Sequence, residues 1–332
     1  MVRFGIAGFG LHALKRLMPG FATARNCCVT ALSRRDLDRA RESAREFGIE
    51  HAFTSTAELC ASPDVDAVFI ATPDALHLAD ILEAARHGKP VLVEKPMAMN
   101  ADEARQIVEA TRAAGVILGV AHVMRFEQSV RWFRDRVTSG AIGKPVLARA
   151  AFVAPLAGSA RTWINDPNLA TGGPLADVGV HCIDTLRYVL GEEVQTVMAQ
   201  AQYDSQWVVE ASGTALFHFG GGTLATMSAS ARAPYQTLLE VIGEDGMLSA
   251  VNAFNVEHPV TLELRRGFDV VEKREVLNDR AYTAQVEAFA AAVEEKRPFE
   301  IPGEEGLQNQ LILDAIFRGV NSGKTETVQP VG

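Results

Sequence analysis

The stretch Val2-Arg-Phe-Gly-Ile-Ala7-Gly8-Phe-Gly10-Leu-His-Ala13 decides the fold. Its first half is a short apolar run ending at a glycine, the pattern of a strand buried on both faces. Its second half sets small residues at Gly8, Gly10 and Ala13, where that strand must turn tightly into a helix. Such a loop, Gly8, Phe9, Gly10 and Leu11 here, lets backbone N–H groups approach a pyrophosphate at the helix N-terminus. Ala13 replaces the third glycine of that pattern, a tolerated exchange.

Working outward, the same apolar runs recur at residues 28–32, 67–71, 91–93 and 116–120. Helical stretches separate them; in residues 36–47, Leu37, Ala40, Ala44 and Phe47 form one stripe. Ser55 and Asn100 each precede a glutamate by three residues, Glu58 and Glu103, and read as helix N-caps. Alternation of strand and helix predicts an α/β Rossmann domain over residues 1–121. Past Arg125 the texture changes. A helix is expected at 126–138, a strand at 146–152, an irregular glycine-containing stretch, and one helix over 175–190. Seven strand-like segments then follow without helices, at 195–202, 213–219, 223–231, 238–242, 247–251, 260–265 and 270–277. Gly220-Gly-Gly222 reads as a hairpin turn between two of them. Residues 122–332 are therefore expected to form an α+β C-terminal domain with an open, mainly antiparallel sheet. Helices at 283–295 and 305–321 close the chain, the last free to pack back on the first domain.

Composition narrows the function classes. A chain of 332 residues exceeds one ordinary hydrophobic core, which favours two domains. With 48% hydrophobic and 22% charged residues it has the profile of a soluble protein. The net charge of −9 argues against a general nucleic-acid binder, which needs a basic surface. Cys27, Cys28, Cys60 and Cys182 show no C-x-x-C spacing, so free thiols in a reducing cytoplasm are expected. No apolar run is long enough for a membrane span. The eight histidines are scattered without metal-ligand spacing, and no metal is expected.

The end of the second strand bears on the nucleotide. An NAD site usually sets Asp or Glu there for the ribose hydroxyls. Here the chain reads Ser33-Arg34-Arg35, a hydroxyl and two guanidinium groups, which suit a 2′-phosphate. NADP is therefore favoured, and the nearby Asp36 keeps NAD as the lesser option.

Further motifs lie downstream: Val65-Asp-Ala-Val68 leading to Ala71-Thr-Pro73, Glu94-Lys-Pro96, Gly172-Gly173, and Asp177-Val-Gly-Val-His181-Cys-Ile-Asp184. With the Gly8–Ala13 loop, and over nearly the whole length, the chain resembles the glucose–fructose oxidoreductase/inositol dehydrogenase (Gfo/Idh/MocA) family. The resemblance implies a Rossmann domain joined to an open-sheet domain, with substrate held between them. It implies that Thr72, Pro73, His77, Glu94 and Lys95 line the nicotinamide side, with a cis peptide before Pro96. It also implies a homodimer or homotetramer paired through the second sheet. Departures are visible: Pro174 stands for a third glycine, Ala121 for an asparagine, and Ile164 follows Trp163 where Trp-Arg is frequent. Trp163 is nevertheless kept among the expected cofactor contacts.

The residue chemistry is coherent with this. Asp177 and His181 stand four apart on the expected helix and so share a face. Alcohol oxidation needs a base for the hydroxyl proton, and histidine titrates near neutrality. A lysine beside the same oxygen stabilises alkoxide or polarises a carbonyl. His181 is thus expected as acid/base, Lys95 as its electrostatic partner and Asp177 as orienter or substrate anchor. Arg125 and Asn165 are expected to join Lys95, Asp177 and His181 around a small hydroxylated substrate. The leading expectation is an NADP-favouring dehydrogenase or reductase acting on a secondary alcohol or carbonyl of a sugar, polyol or diol. The alternatives are an enzyme cycling a retained NADP between two substrates, and a non-catalytic NADP sensor.

Overall fold

The computed structural model describes residues 1–156 and 161–331; the irregular stretch expected after residue 152 lies partly outside them. The chain divides into two compact units. The first comprises Met1–His122, Asn168–Ala170 and Tyr282–Gln310, the second Val123–Pro167, Thr171–Ala281 and Leu311–Gly332. The closing helix Gly303–Ser322 contributes its start to the first and its end to the second.

The first unit is built on six parallel strands: β1 (Val2–Ala7), β2 (Cys27–Ser33), β3 (His51–Phe53), β4 (Ala67–Ile70), β5 (Val91–Val93) and β6 (Leu118–Val120). Their order is β3-β2-β1-β4-β5-β6, the doubly wound arrangement. β1 lies centrally because Phe4, Ile6 and Ala7 are fully buried, with apolar neighbours on both sides. Strand order reverses between β1 and β4, so the loops after these two strands border the crevice where such folds take ligands. The expected caps are present. Ser55 accepts the Glu58 N–H and Asn100 the Glu103 N–H. Each glutamate reaches back one residue past its cap, to the N–H of Thr54 or Met99. The three-residue β3 has no apolar alternation and was not foreseen.

The second unit holds a nine-stranded sheet. Its strands are β7 (Pro145–Val153), β8 (Val194–Gln202), β9 (Ser212–Phe219), β10 (Leu224–Ser230), β11 (Gln236–Gly243), β12 (Met247–Val251), β13 (Val260–Arg266), β14 (Asp269–Val276) and β15 (Glu326–Thr327). The order is β14-β13-β12-β11-β7-β10-β9-β8-β15, antiparallel except where β10 runs parallel to β7. Gly222, at φ +99°, closes the β9–β10 turn, and its N–H bonds the Phe219 carbonyl. Helix Gly179–Leu190 packs on β7 and β10, whose buried inner face carries the small side chains of Ala148, Ala150, Ala225 and Ala229 beside the larger Met227. On the other face Leu147, Met198, Leu216 and Leu224 are exposed.

One expectation needs correction: residues 175–190 are two helices, Pro174–Asp177 and Gly179–Leu190. Val178, at φ −107° and ψ −26°, separates them. Pro174 supplies no N–H and suits a first helical position, which starts the short piece early. The break then sets Gly179 against Met227, where an added Cβ would lie 3.2 Å from Met227 Cε.

Glu127 in this unit is fully buried, and burial raises its pKa well above the usual carboxylate value. The Ser129 hydroxyl lies 2.8 Å from the Ala253 carbonyl and 3.5 Å from Glu127 Oε2, and one proton cannot serve both. The sign follows. Stability is complete below the unfolded-state pKa of about 4.3 and declines as pH rises towards the folded value, by about 1.4 kcal/mol per unit. Glu127→Gln cannot ionise, so its stability relative to wild type should grow between about pH 5 and about pH 7. Urea unfolding at both pH values checks this; an unchanged difference would refute it.

Candidate active site

In the first unit the loop after β1 meets the loop after β4 at the sheet's switch point. Gly8 adopts φ +83°, and a Cβ there would lie 2.6 Å from Thr72 N and 2.7 Å from Ala71 C. Only glycine permits both the conformation and the approach. At Gly10 the nearest atom to such a Cβ is 3.9 Å away, leaving open space over the loop. The Phe9 N–H bonds the Ser33 carbonyl at 3.0 Å and the Gly10 N–H bonds the Gly8 carbonyl at 2.7 Å. Phe9 also buries its ring against Phe47, centroids 5.8 Å apart. The first bond into the following helix runs from Leu14 N–H to the Gly10 carbonyl. The first-turn donors are therefore the N–H groups of Leu11, His12 and Ala13, displaced along the chain from those expected. Space over Gly10 and oriented N–H groups together fit a dinucleotide pyrophosphate.

At the end of β2, Ser33 is buried, Arg34 is half-buried and Arg35 is exposed. The Arg34 guanidinium donates to Ser43 Oγ at 2.7 Å. Asp36 caps helix Leu37–Phe47, accepting the Arg39 N–H at 3.1 Å.

The Glu94-Lys95-Pro96 turn follows β5, and the Lys95–Pro96 peptide is cis. Glu94 Oε1 lies 2.9 Å from His12 Nε2, and Glu94 Oε2 accepts the Lys95 N–H at 3.3 Å. Burial alone would raise the Glu94 pKa, but His12 and Lys95 beside it hold it below the ordinary carboxylate value. His77 is fully buried, with Nδ1 3.0 Å from the Pro96 carbonyl and Nε2 2.9 Å from the Thr72 carbonyl. Both ring nitrogens thus engage protein, and His77 ties the Thr72-Pro73 turn to the Lys95 turn. Thr72 Oγ1 donates to Asp80 Oδ2 at 2.7 Å.

In the second unit Asp177 ends the short helix and His181 lies in the first turn of the next, each only 7% exposed. Asp177 Oδ1 accepts from the Arg161 guanidinium at 2.6 Å. The Arg161 guanidinium also lies 5.9 Å from the centroid of the half-buried Trp163 ring. The His181 ring stacks on Phe152, centroids 5.8 Å apart and planes 29° apart. Packing therefore orients the imidazole.

Glu210, which sequence reasoning did not single out, accepts the N–H groups of Gly173 and Leu175, both at 2.9 Å. Burial raises its pKa although those two bonds oppose the change. A Cβ on Gly173 would lie 2.1 Å from the Glu210 carbonyl oxygen, which explains that glycine.

Two expected substrate contacts have polar groups engaged with protein. Arg125 is 8% exposed and makes a two-pronged pair with Asp184, at 2.9 and 2.7 Å. Asn165 accepts the Val208 N–H at 2.7 Å and donates to the Gln206 carbonyl at 3.3 Å.

Family models agree with this architecture. The "Oxidoreductase family, NAD-binding Rossmann fold" model matches residues 2–122, and the "GFO/IDH/MocA C-terminal domain" model matches residues 130–249. The chain belongs to the Gfo/Idh/MocA family. It is an oxidoreductase of that NAD(P)-binding family. Within the family it is 30% identical to the 1,5-anhydro-D-fructose reductase of Ensifer adhaerens, over 99% of both chains. It is also 30% identical to D-xylose 1-dehydrogenase (NADP(+)) 2 of Haloferax volcanii, over 96% of this chain and 98% of the relative. The aldose-aldose oxidoreductase of Caulobacter crescentus shares the fold, with TM-score 0.90, 24% identity, and coverage of 98% of this chain and 99% of that one. Among the described residues no helix is long and apolar enough to cross a membrane.

Proposed function

We propose that the protein is an NADP-favouring dehydrogenase or reductase acting on a secondary alcohol or matching carbonyl of a sugar, polyol or diol. The observation that carries the reading is the Asp177–His181 pair, two ionisable side chains held nearly buried at a helix break. Relatives named for anhydrofructose and xylose support the substrate class. NAD(P), when bound, supplies the hydride acceptor or donor. His181 takes the hydroxyl proton in oxidation and returns it in reduction, and Phe152 keeps its ring in place. The Lys95 ammonium stabilises the developing charge on the substrate oxygen. Asp177, fixed by Arg161, orients the imidazole or holds a neighbouring hydroxyl.

The family uses both nicotinamide cofactors, so the preference rests on this chain's own residues. Asp36, the acid nearest the end of β2, is committed to capping its helix. Arg34 and Arg35 are left as the charged groups for a 2′-phosphate. A panel of sugars, polyols and diols, assayed with NADP and NAD by reduced-cofactor absorbance, tests the reading. At least one should be turned over, with higher kcat/KM for NADP. Arg34→Ala/Arg35→Ala should then lower the NADP value by about 10–100-fold, since hydrogen bonds to charged groups contribute about 1.5–3 kcal/mol. The NAD value should hardly move. An unchanged NADP:NAD ratio would remove the arginines from the site, and no turnover on the panel would remove the substrate class.

A further inference from the structure

We propose that His12 sets the affinity of the dinucleotide loop for its cofactor, acting through its ion pair with Glu94. The inference rests on the family's NAD(P) binding, and is independent of the roles assigned to Lys95 and His181.

His12 is the second residue of the helix that follows Gly10, so its own N–H is among the first-turn donors. Its side chain turns to Glu94, whose carboxylate is only 12% exposed. An ionised carboxylate thus stands beside the turn that receives the negative pyrophosphate. Like charges in a site partly screened from water repel more strongly than at an open surface. A protonated His12 cancels the Glu94 charge, whereas a neutral His12 leaves it facing the incoming phosphates.

The contact also has a mechanical consequence. Glu94 Oε2 holds the Lys95 N–H, so one ion pair joins the loop after β1 to the turn after β5. Other charged or titratable groups adjoin it in the chain or in space. Lys95 adjoins Glu94, Lys15 and Arg16 follow on the helix of His12, and the Tyr282 ring meets the imidazole edge-on with centroids 6.0 Å apart. A variant that changes only the imidazole keeps all of these and isolates its contribution.

NADPH and NADH binding is followed by cofactor fluorescence from about pH 6 to about pH 9. Wild-type Kd should rise about tenfold across that range for both nucleotides, equivalent to about 1.4 kcal/mol. His12→Gln keeps an amide donor for Glu94 but can carry no positive charge, and should bind with a nearly flat profile. Glu94→Gln should flatten it as well, because no carboxylate remains to be neutralised; it carries the test alone if His12→Gln does not fold. Parallel profiles for wild type and variants would overturn the proposal. A wild-type protein binding neither nucleotide at any pH would overturn the cofactor reading with it.

Discussion

Replacing His181 with alanine is expected to lower kcat by about 10²–10⁴-fold, the usual contribution of a positioned acid/base. The Kd for reduced cofactor should stay within about threefold of wild type, because no element of the pyrophosphate loop is altered. The ring is nearly buried and stacked on Phe152, so its orientation exists before substrate arrives and the loss falls on the chemical step. Lys95→Ala should give a loss of similar order, since an ammonium in the proposed role acts mainly in the transition state. If the two groups act on one oxygen as proposed, the double variant should be far less impaired than the product of the two single losses. The pH profile separates the roles: removal of His181 should abolish the limb that reports the base, while Lys95→Ala should retain it. Near-normal kcat in both single variants would dismiss the proposed machinery.

Gly8 and Gly10 should respond differently to the same substitution. Gly8→Ala drives a Cβ to 2.6 Å from Thr72 N in a backbone conformation at φ +83°. Strain and overpacking of that kind cost roughly 2–4 kcal/mol, so a lowered Tm and weakened cofactor binding are expected together. Gly10→Ala meets nothing closer than 3.9 Å in the protein and should leave Tm nearly unchanged. Its methyl would occupy the space over the loop, so Kd for the nucleotide should rise by at least about tenfold. Thermal melts with parallel binding titrations check both. A Gly10→Ala variant that binds normally would move the pyrophosphate away from this loop.

Much of the fold was legible because it is written locally. β1 ends where Gly8 stands, and the caps at Asn100 and Ser55 announce their helices within four residues. What escaped depends on partners far along the chain. The parallel pairing of β7 with β10 joins segments about 75 residues apart and leaves no periodic trace in either. The break at Val178 escaped because apolar spacing continues through it, although Pro174 was a signal in hindsight.

The candidate site divides in the same way. Residue types with chemical meaning stood out, but whether a side chain is already engaged was hidden. Asp184 takes Arg125 from 59 residues away, and the 206–209 segment takes Asn165 from more than 40. His12 and Glu210 were overlooked for the converse reason. Each looks ordinary until folding brings Glu94 to one and the Gly173 loop to the other.

The most direct test uses a substrate from the panel deuterated at the carbon bearing the reacting hydroxyl, oxidised with NADP in ordinary water. The reduced cofactor isolated afterwards should carry the deuterium at C4 of its nicotinamide, seen by mass spectrometry and NMR. His181→Ala protein should form this labelled product at least about a hundredfold more slowly. Substrate turnover that leaves the cofactor unlabelled, or labelling at the wild-type rate by the variant, would contradict it.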